Sequence, residues 1–295
     1  MVLNSYAKLN LYLEVLSLRK DNYHNIKTLF ERICLCDKII LKPRRDKSIK
    51  VSCNNPDVPC DNTNLCYCSA KLLQGKFNVE CGADIRIIKR IPVGAGLGGG
   101  SSNAACVLLG LNKLWKLGLS RKKLIQLGKQ IGADVPFFIY NIPFALGEDR
   151  GDKIRPLKGL FGVRLWHILV VPKIKVSTPL IYRKWDEFLA KKSTVSELTM
   201  PRYDVKILLS GLRKNELAER GELIFNSLQS VTAKLYPEVR RVKDKLASLG
   251  ANSILMSGSG PAVFGVFSSR KEAVNLGRKL QKENNSWRIF ITRTF

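Results

Sequence analysis

The chain has 295 residues, room for two domains of ordinary size or one large one. Apolar residues make up 45% and charged residues 25%, globular values that exclude wholesale disorder. Fifty Lys and Arg against 24 Asp and Glu leave a net charge of +26. That surplus attracts anions, whether nucleotides, phosphate esters, nucleic acid or acidic lipid, although a uniformly basic proteome would produce it without any such partner.

No apolar run approaches the roughly 18 residues needed to cross a bilayer. The start MVLNSYAKLNLYL lacks the charged leader, long apolar stretch and small-residue cleavage site of a signal peptide, so a cytoplasmic protein is expected. Seven of the eight cysteines lie between Cys34 and Cys81, without the paired C-x-x-C spacing of zinc sites. They read as free thiols in small packing positions.

Ser5–Leu18 reads as a strand with partial period-2 alternation, since Lys8, Asn10 and Glu14 fall at even positions. Lys20-Asp21-Asn22 is a turn and residues 25–41 a second strand. Residues 42–63, with three prolines, read as loop or short edge structure, and Leu65–Gln74 as a short helix. A strand over Asp84–Ile91 stops at Pro92. A glycine-rich segment then leads into helices over Ala104–Leu117 and, capped by Ser120, through Ile131. The charged, Gly-containing stretch Gly147–Pro156 is the expected domain boundary, dividing residues 1–150 from 151–295. Beyond it, strands are expected at Trp166–Val171, Ser253–Met256, Ala262–Phe267 and Trp287–Thr292. Helices are expected from Ser177-Thr178-Pro179, at Glu216–Leu228, at Pro237–Leu249 and at Lys271–Glu283.

Five glycines and two serines fall within Gly94–Ser102, after a strand and before a helix. Glycine lets backbone N–H groups approach a ligand, and a helix N-terminus adds unpaired donors and partial positive charge. A tight turn would need one or two glycines; five point to a phosphate cradle. Gly94-x-Gly96-x-x-Gly99 matches the dinucleotide fingerprint, but no acid lies between Asp84 and Asp134 to hold a ribose. A Walker A loop would end in Gly-Lys-Ser/Thr, and this one ends Gly100-Ser101-Ser102.

The run Pro92-Val93-Gly94-Ala95-Gly96-Leu97-Gly98-Gly99-Gly100-Ser101-Ser102-Asn103 instead resembles the second motif of the GHMP small-molecule kinases. Ala7-Lys8-Leu9-Asn10-Leu11 is similar to their first motif, and Met256-Ser257-Gly258-Ser259-Gly260-Pro261 to their third. Arg19-Lys20-Asp21-Asn22-Tyr23-His24 and Gly132-Ala133-Asp134-Val135-Pro136-Phe137-Phe138 resemble the branch acting on a cytidine diphosphate-linked methylerythritol. In the turn, Asn22 stands in place of glycine, a mild change because Asn tolerates a left-handed backbone. Asn226-Ser227-Leu228-Gln229 resembles an N-D-L-E stretch with both acids lost.

The resemblance implies an α+β, two-domain GHMP architecture: an N-terminal domain like the second domain of ribosomal protein S5, and a ferredoxin-like C-terminal domain. It implies ATP as co-substrate, with Mg2+, and phosphorylation of the 2-hydroxyl of the cytidyl substrate in the non-mevalonate isoprenoid pathway. The ATP site would be Pro92–Ser102. Asp134 would be the catalytic base and Lys8 its partner at the acceptor hydroxyl; the alternative from the residues alone is that Asp134 only caps a helix and Lys8 snorkels from a strand. Asn10 would hold the methylerythritol, and Tyr23, His24 and Tyr182 the cytosine, with Phe30 either behind that stack or plain core. Two alternatives stand beside this reading: another GHMP kinase, of homoserine or mevalonate type, and a basic nucleic-acid-binding protein.

Overall fold

The computed structural model describes residues 1–190, 201–283 and 286–295. The first half of the chain forms β1 (Val2–Leu18), β2 (His24–Arg44), β3 (Ile49–Cys53), α1 (Leu65–Lys76), β4 (Gly82–Ile88), α2 (Gly99–Leu114), α3 (Arg121–Ile131), α4 (Val135–Tyr140), β5 (Phe144–Glu148) and β6 (Lys153–Pro156). The second half forms β7 (Trp166–Val171), α5 (Thr178–Ala190), α6 (Val205–Arg213), β8 (Phe225–Asn226), α7 (Gln229–Leu235), α8 (Pro237–Ser248), β9 (Ser253–Met256), β10 (Val263–Phe267), α9 (Arg270–Glu283) and β11 (Arg288–Arg293).

Two sheets organise these elements. The first runs β3-β4-β2-β1-β8, with β5 paired to β2 and β6 to β5. The long β1–β2 hairpin is its spine, and α1 to α4 bury Leu73, Ala104, Leu108, Leu127 and Phe137 against Ile39, Leu41, Ile85 and Ile87. The second sheet runs β11-β7-β10-β9, antiparallel throughout. In chain order its strands lie 4-1-3-2, the ferredoxin-like arrangement expected of the C-terminal domain. Helices α8 and α9 cover one face through Val239, Val242, Leu246, Ala273 and Leu280. A third apolar cluster, containing Leu9, Leu11, Ile33, Leu169, Leu255 and Phe264, joins the two sheets.

Two expectations need correction. Gly147–Pro156 is a hairpin inside the first sheet, since β5 and β6 pair from Ala145↔Pro156 to Glu148↔Lys153. A cut at residue 150 would divide it, so the first sheet extends past that point. Glu216–Leu228 is not a helix: Gly221–Leu223 make one 3-10 turn and Phe225–Asn226 pair in parallel with Tyr12–Leu13 of β1. A Cβ on Gly221 would lie 2.3 Å from the Asn252 carbonyl oxygen, so backbone packs on backbone there and the helix starts only at Gln229.

The two halves are tied together by buried polar groups. Glu31 of β2 accepts from His167 of β7 at 2.8 Å and from Thr294 at 2.6 Å, with Glu31 and His167 fully buried. Among the described residues no helix is long and apolar enough to cross a membrane.

Candidate active site

A cavity of about 940 Å³ opens between the two halves of the chain. Its walls bring together the glycine-rich loop, Lys8 and Asn10 of β1, the Tyr23–His24 turn, Asp134 and the start of α5.

The glycine loop takes its shape from three left-handed residues, Gly94, Gly96 and Gly98, with φ of 65°, 75° and 66°. Gly96 must also be bare, because a Cβ there would lie 2.1 Å from the Ser257 carbonyl oxygen. The third glycine motif thus packs directly on the second, and Ser257 Oγ donates to the Gly96 carbonyl at 3.1 Å. Helix α2 begins at Gly99, five residues before its sequence pattern becomes apolar. The first intrahelical bond is donated by Ser102 to Gly98, which leaves the N–H groups of Gly99, Gly100 and Ser101 outside the ladder. Pro92 through Ser101 all line the cavity. Ser102 does not: it is buried, and its hydroxyl accepts from Ser5 at 2.7 Å.

Beneath the loop lies a buried ion pair that sequence reading missed. Lys89 Nζ meets Asp37 Oδ2 at 2.6 Å, and Asp37 also accepts from the N–H groups of Arg90 and Ile91 and from Asn103 Nδ2. Asp37 and Lys89 lie 52 residues apart in sequence, so no local signal joined them. Lys89 lines the cavity, and its Nζ sits 2.9 Å from where a Cβ on Gly99 would be.

Lys8 and Asp134 are brought together from 126 residues apart, with Nζ 3.5 Å from Oδ2. Asp134 stands at the N-cap position of α4 yet makes no capping bond with its side chain. Lys8 Nζ also donates to Asn10 Oδ1 at 2.6 Å, and Asn10 Nδ2 donates to Thr28 at 2.8 Å. Phe30 is core, stacked on Phe137 with centroids 4.9 Å apart, and forms the apolar floor 5.5 Å below the ammonium. The Lys8 stem lies beside Gly98, at 3.0 Å from the site of an added Cβ.

The Arg19–Tyr23 turn closes with Asn22 at φ 62°, the left-handed backbone that Asn tolerates. Its tip is held by Asp21, which accepts from the Tyr23 N–H at 3.2 Å and pairs with Arg19. Tyr23 is exposed, with the Arg150 guanidinium 5.2 Å from its ring centroid. Tyr182 stacks on His24 instead of standing apart from it, with centroids 5.0 Å apart and planes 28° from parallel. Burial, and secondarily the charge of Asp134, holds the Tyr182 phenol well above its ordinary pKa, so it stays a neutral donor.

The lost acids of the N-D-L-E-like stretch have structural replacements. Asn226 Nδ2 donates to the carbonyls of Met256 and Gly258, both at 2.7 Å, and its Oδ1 accepts from Leu228. Ser227 Oγ accepts from Val15, and Gln229 Oε1 from the Met256 N–H. The stretch fixes the third glycine motif to β1 without any negative charge.

Two family models match the chain, the GHMP kinases N terminal domain over residues 64–141 and the GHMP kinases C terminal domain over residues 208–286. The chain belongs to the GHMP kinases. Membership makes it an ATP-dependent small-molecule kinase with the two-domain GHMP fold. Among curated GHMP kinases, it is 40% identical over 297 residues to a protein of Geobacillus sp. (strain WCH70), covering 100% of this chain and 95% of that one. It is 37% identical to one of Acetivibrio thermocellus, covering 99% and 98%. Both are named 4-diphosphocytidyl-2-C-methyl-D-erythritol kinase. A crystal structure of 4-(cytidine 5'-diphospho)-2C-methyl-D-erythritol kinase superposes with a TM-score of 0.81 at 31% identity, covering both chains fully. L. major mevalonate kinase, at 15% identity and a TM-score of 0.77 over 100% of this chain and 95% of that one, shares the GHMP fold alone.

Proposed function

We propose that the chain transfers the γ-phosphoryl group of ATP to the 2-hydroxyl of 4-diphosphocytidyl-2-C-methyl-D-erythritol, a step of the non-mevalonate isoprenoid pathway. The full-length relatives carrying that enzyme's name support the substrate. The observation that carries the chemistry is the place of Lys8 and Asp134 in the cavity. Lys8 packs on Gly98 of the phosphate loop, and Asp134 and Tyr182 line the same cavity. The pair therefore stands where an acceptor hydroxyl would meet a γ-phosphate.

Asp134 takes the proton of the 2-hydroxyl as that oxygen bonds to Pγ. The bond from Pγ to the bridging oxygen breaks, and ADP leaves with its electron pair. Lys8 offsets the charge that builds on the acceptor oxygen. The free N–H groups of Gly99–Ser101 hold the ATP phosphates, with the Lys89–Asp37 ion pair bracing the loop beneath them. Among the described residues no group of three or more His, Cys, Asp or Glu could hold a metal ion. Magnesium arriving with ATP takes most of its ligands from phosphates and water, and the Ser101 hydroxyl, which lines the cavity, would be the residue of this chain to hold it. Such an ion would supply charge neutralisation at the β- and γ-phosphates. Asn10 orients the methylerythritol, and the cytosine sits against Tyr23, His24 and Tyr182.

We assign the ATP-binding domain to the residues through Pro156 and the second domain to the remainder, with β8 contributed back to the first sheet. A cytoplasmic location would supply both the ATP and the cytidine nucleotide that this reading requires. The deciding measurement is coupled ADP release with the cytidyl substrate beside mevalonate and homoserine. A kcat/KM for either control equal to that of the cytidyl compound would refute the substrate assignment.

A further inference from the structure

Helix α5 offers His24 two contacts from side chains one turn apart. Tyr182 stacks on its ring, and Asp186 Oδ1 lies 2.7 Å from its Nε2. Residues i and i+4 of a helix share a face, so a single rigid element fixes both the plane of the imidazole and the direction of its edge. His24 is buried, whereas Asp186 is 43% exposed; both line the cavity. A carboxylate can only accept, so the proton of a neutral His24 is held on Nε2. Nδ1 is left as an acceptor, and it has no hydrogen-bond partner among the described residues.

We propose that Asp186 is a positioning residue that makes His24 selective for cytosine over uracil. The inference rests on the cytidyl reading above. Cytosine and uracil have the same shape and differ at C4, where cytosine carries an amino donor and uracil a carbonyl acceptor. An imidazole locked with Nδ1 as acceptor satisfies the amine and leaves two acceptors facing each other when uracil enters. Asp186 thus sets which pyrimidine fits without touching it.

The test pairs kinetics with nitrogen-15 NMR of histidine-labelled protein. The chain has only two histidines, and both place Nε2 against a carboxylate, so two protected low-field imidazole N–H signals are expected. His24→Ala assigns them. In Asp186→Ala the His24 signal should be lost to solvent exchange while the His167 signal persists, which also reports an intact fold. KM for the cytidyl substrate should rise about tenfold and the cytidyl-to-uridyl ratio of kcat/KM should fall by a similar factor, with kcat and the KM for ATP within about twofold. Asp186→Asn, whose amide oxygen can still accept, should recover most of the ratio. If Asp186→Ala keeps the wild-type ratio, or if wild-type His24 carries its proton on Nδ1, the positioning role is overturned while the cytidyl reading stands. If the wild-type enzyme itself does not prefer the cytidyl compound, both fall.

Discussion

Replacing Asp134 with Asn removes the proposed base and keeps a side chain of the same shape. The side chain makes no capping bond to α4, and its charged contact among the described residues is Lys8 at 3.5 Å, with Asp134 29% and Lys8 only 6% exposed. Because Lys8 is buried, losing the charge of Asp134 costs more than the roughly 1 kcal/mol of a solvent-exposed pair, though less than the about 3–5 kcal/mol of a fully buried one. Lys8 keeps its 2.6 Å bond to Asn10, so its ammonium is not stranded. The stability change should therefore be about 1–3 kcal/mol. Loss of a general base lowers kcat by about 10²–10⁴, equal to roughly 2.7–5.4 kcal/mol of transition-state stabilisation at 1.36 kcal/mol per decade. The chemical effect and the structural one are read separately. ADP release at saturating concentrations of both substrates measures the first, urea unfolding the second, and calorimetry with ATP checks that the nucleotide still binds. A kcat within a few-fold of wild type would remove Asp134 from the chemistry. Adding Lys8→Met to Asp134→Asn should lower the rate far less than the product of the two single effects, because residues acting as a unit are not additive.

Gly99→Val should raise the Kd for ATP at least tenfold by calorimetry, since its side chain would grow from a Cβ 2.9 Å from Lys89 Nζ and 3.1 Å from Ile91, where the phosphates are expected; unchanged affinity in the folded variant would move the cradle elsewhere. Tyr182→Ala should raise KM for the cytidyl substrate by roughly ten- to a hundred-fold with the ATP curve unmoved, as loss of an aromatic surface beside a base is worth about 1–3 kcal/mol. A shift of the ATP curve alone would assign the aromatic cluster to the other ligand. Asn226→Ala strands two buried carbonyls and one N–H, and should lower the urea midpoint by the equivalent of about 2–4 kcal/mol at unchanged m-value; a midpoint like that of wild type would show that other groups hold the third motif.

Much of this was legible in the sequence because it was local. The strands β1 and β2, the Ser120 cap of α3, which accepts from the Lys123 N–H, and the left-handed Asn22 all follow from neighbouring residues. Helix α2 was expected five residues late because Gly99, Gly100 and Ser101 have low helix propensity, and their helical state is enforced by the loop that precedes them. The Glu216–Leu228 segment has helical composition, and the partners that override it, Asn252, Met256 and Gly258, lie about 30 residues on. The amphipathic α6, with Val205, Leu208, Leu209 and Leu212 buried on one face, was present as a pattern and passed over. In the site, the motifs marked Lys8, Asp134 and the glycine loop. What no motif marked were the charges that support them, Asp37 with Lys89 and Asp186 with His24, because each pair exists only after distant elements meet.

The seating of the third glycine motif on Gly96, and of β8 beside β1, means that neither half of the chain owns a complete phosphate site. Unfolding the ferredoxin-like half would withdraw an edge strand and the prop under the nucleotide loop together, so the halves lose structure as one cooperative unit. ATP bound in that loop then stabilises the fold globally by mass action, and nucleotide should displace a single melting transition upward where an independently folding cassette would give two.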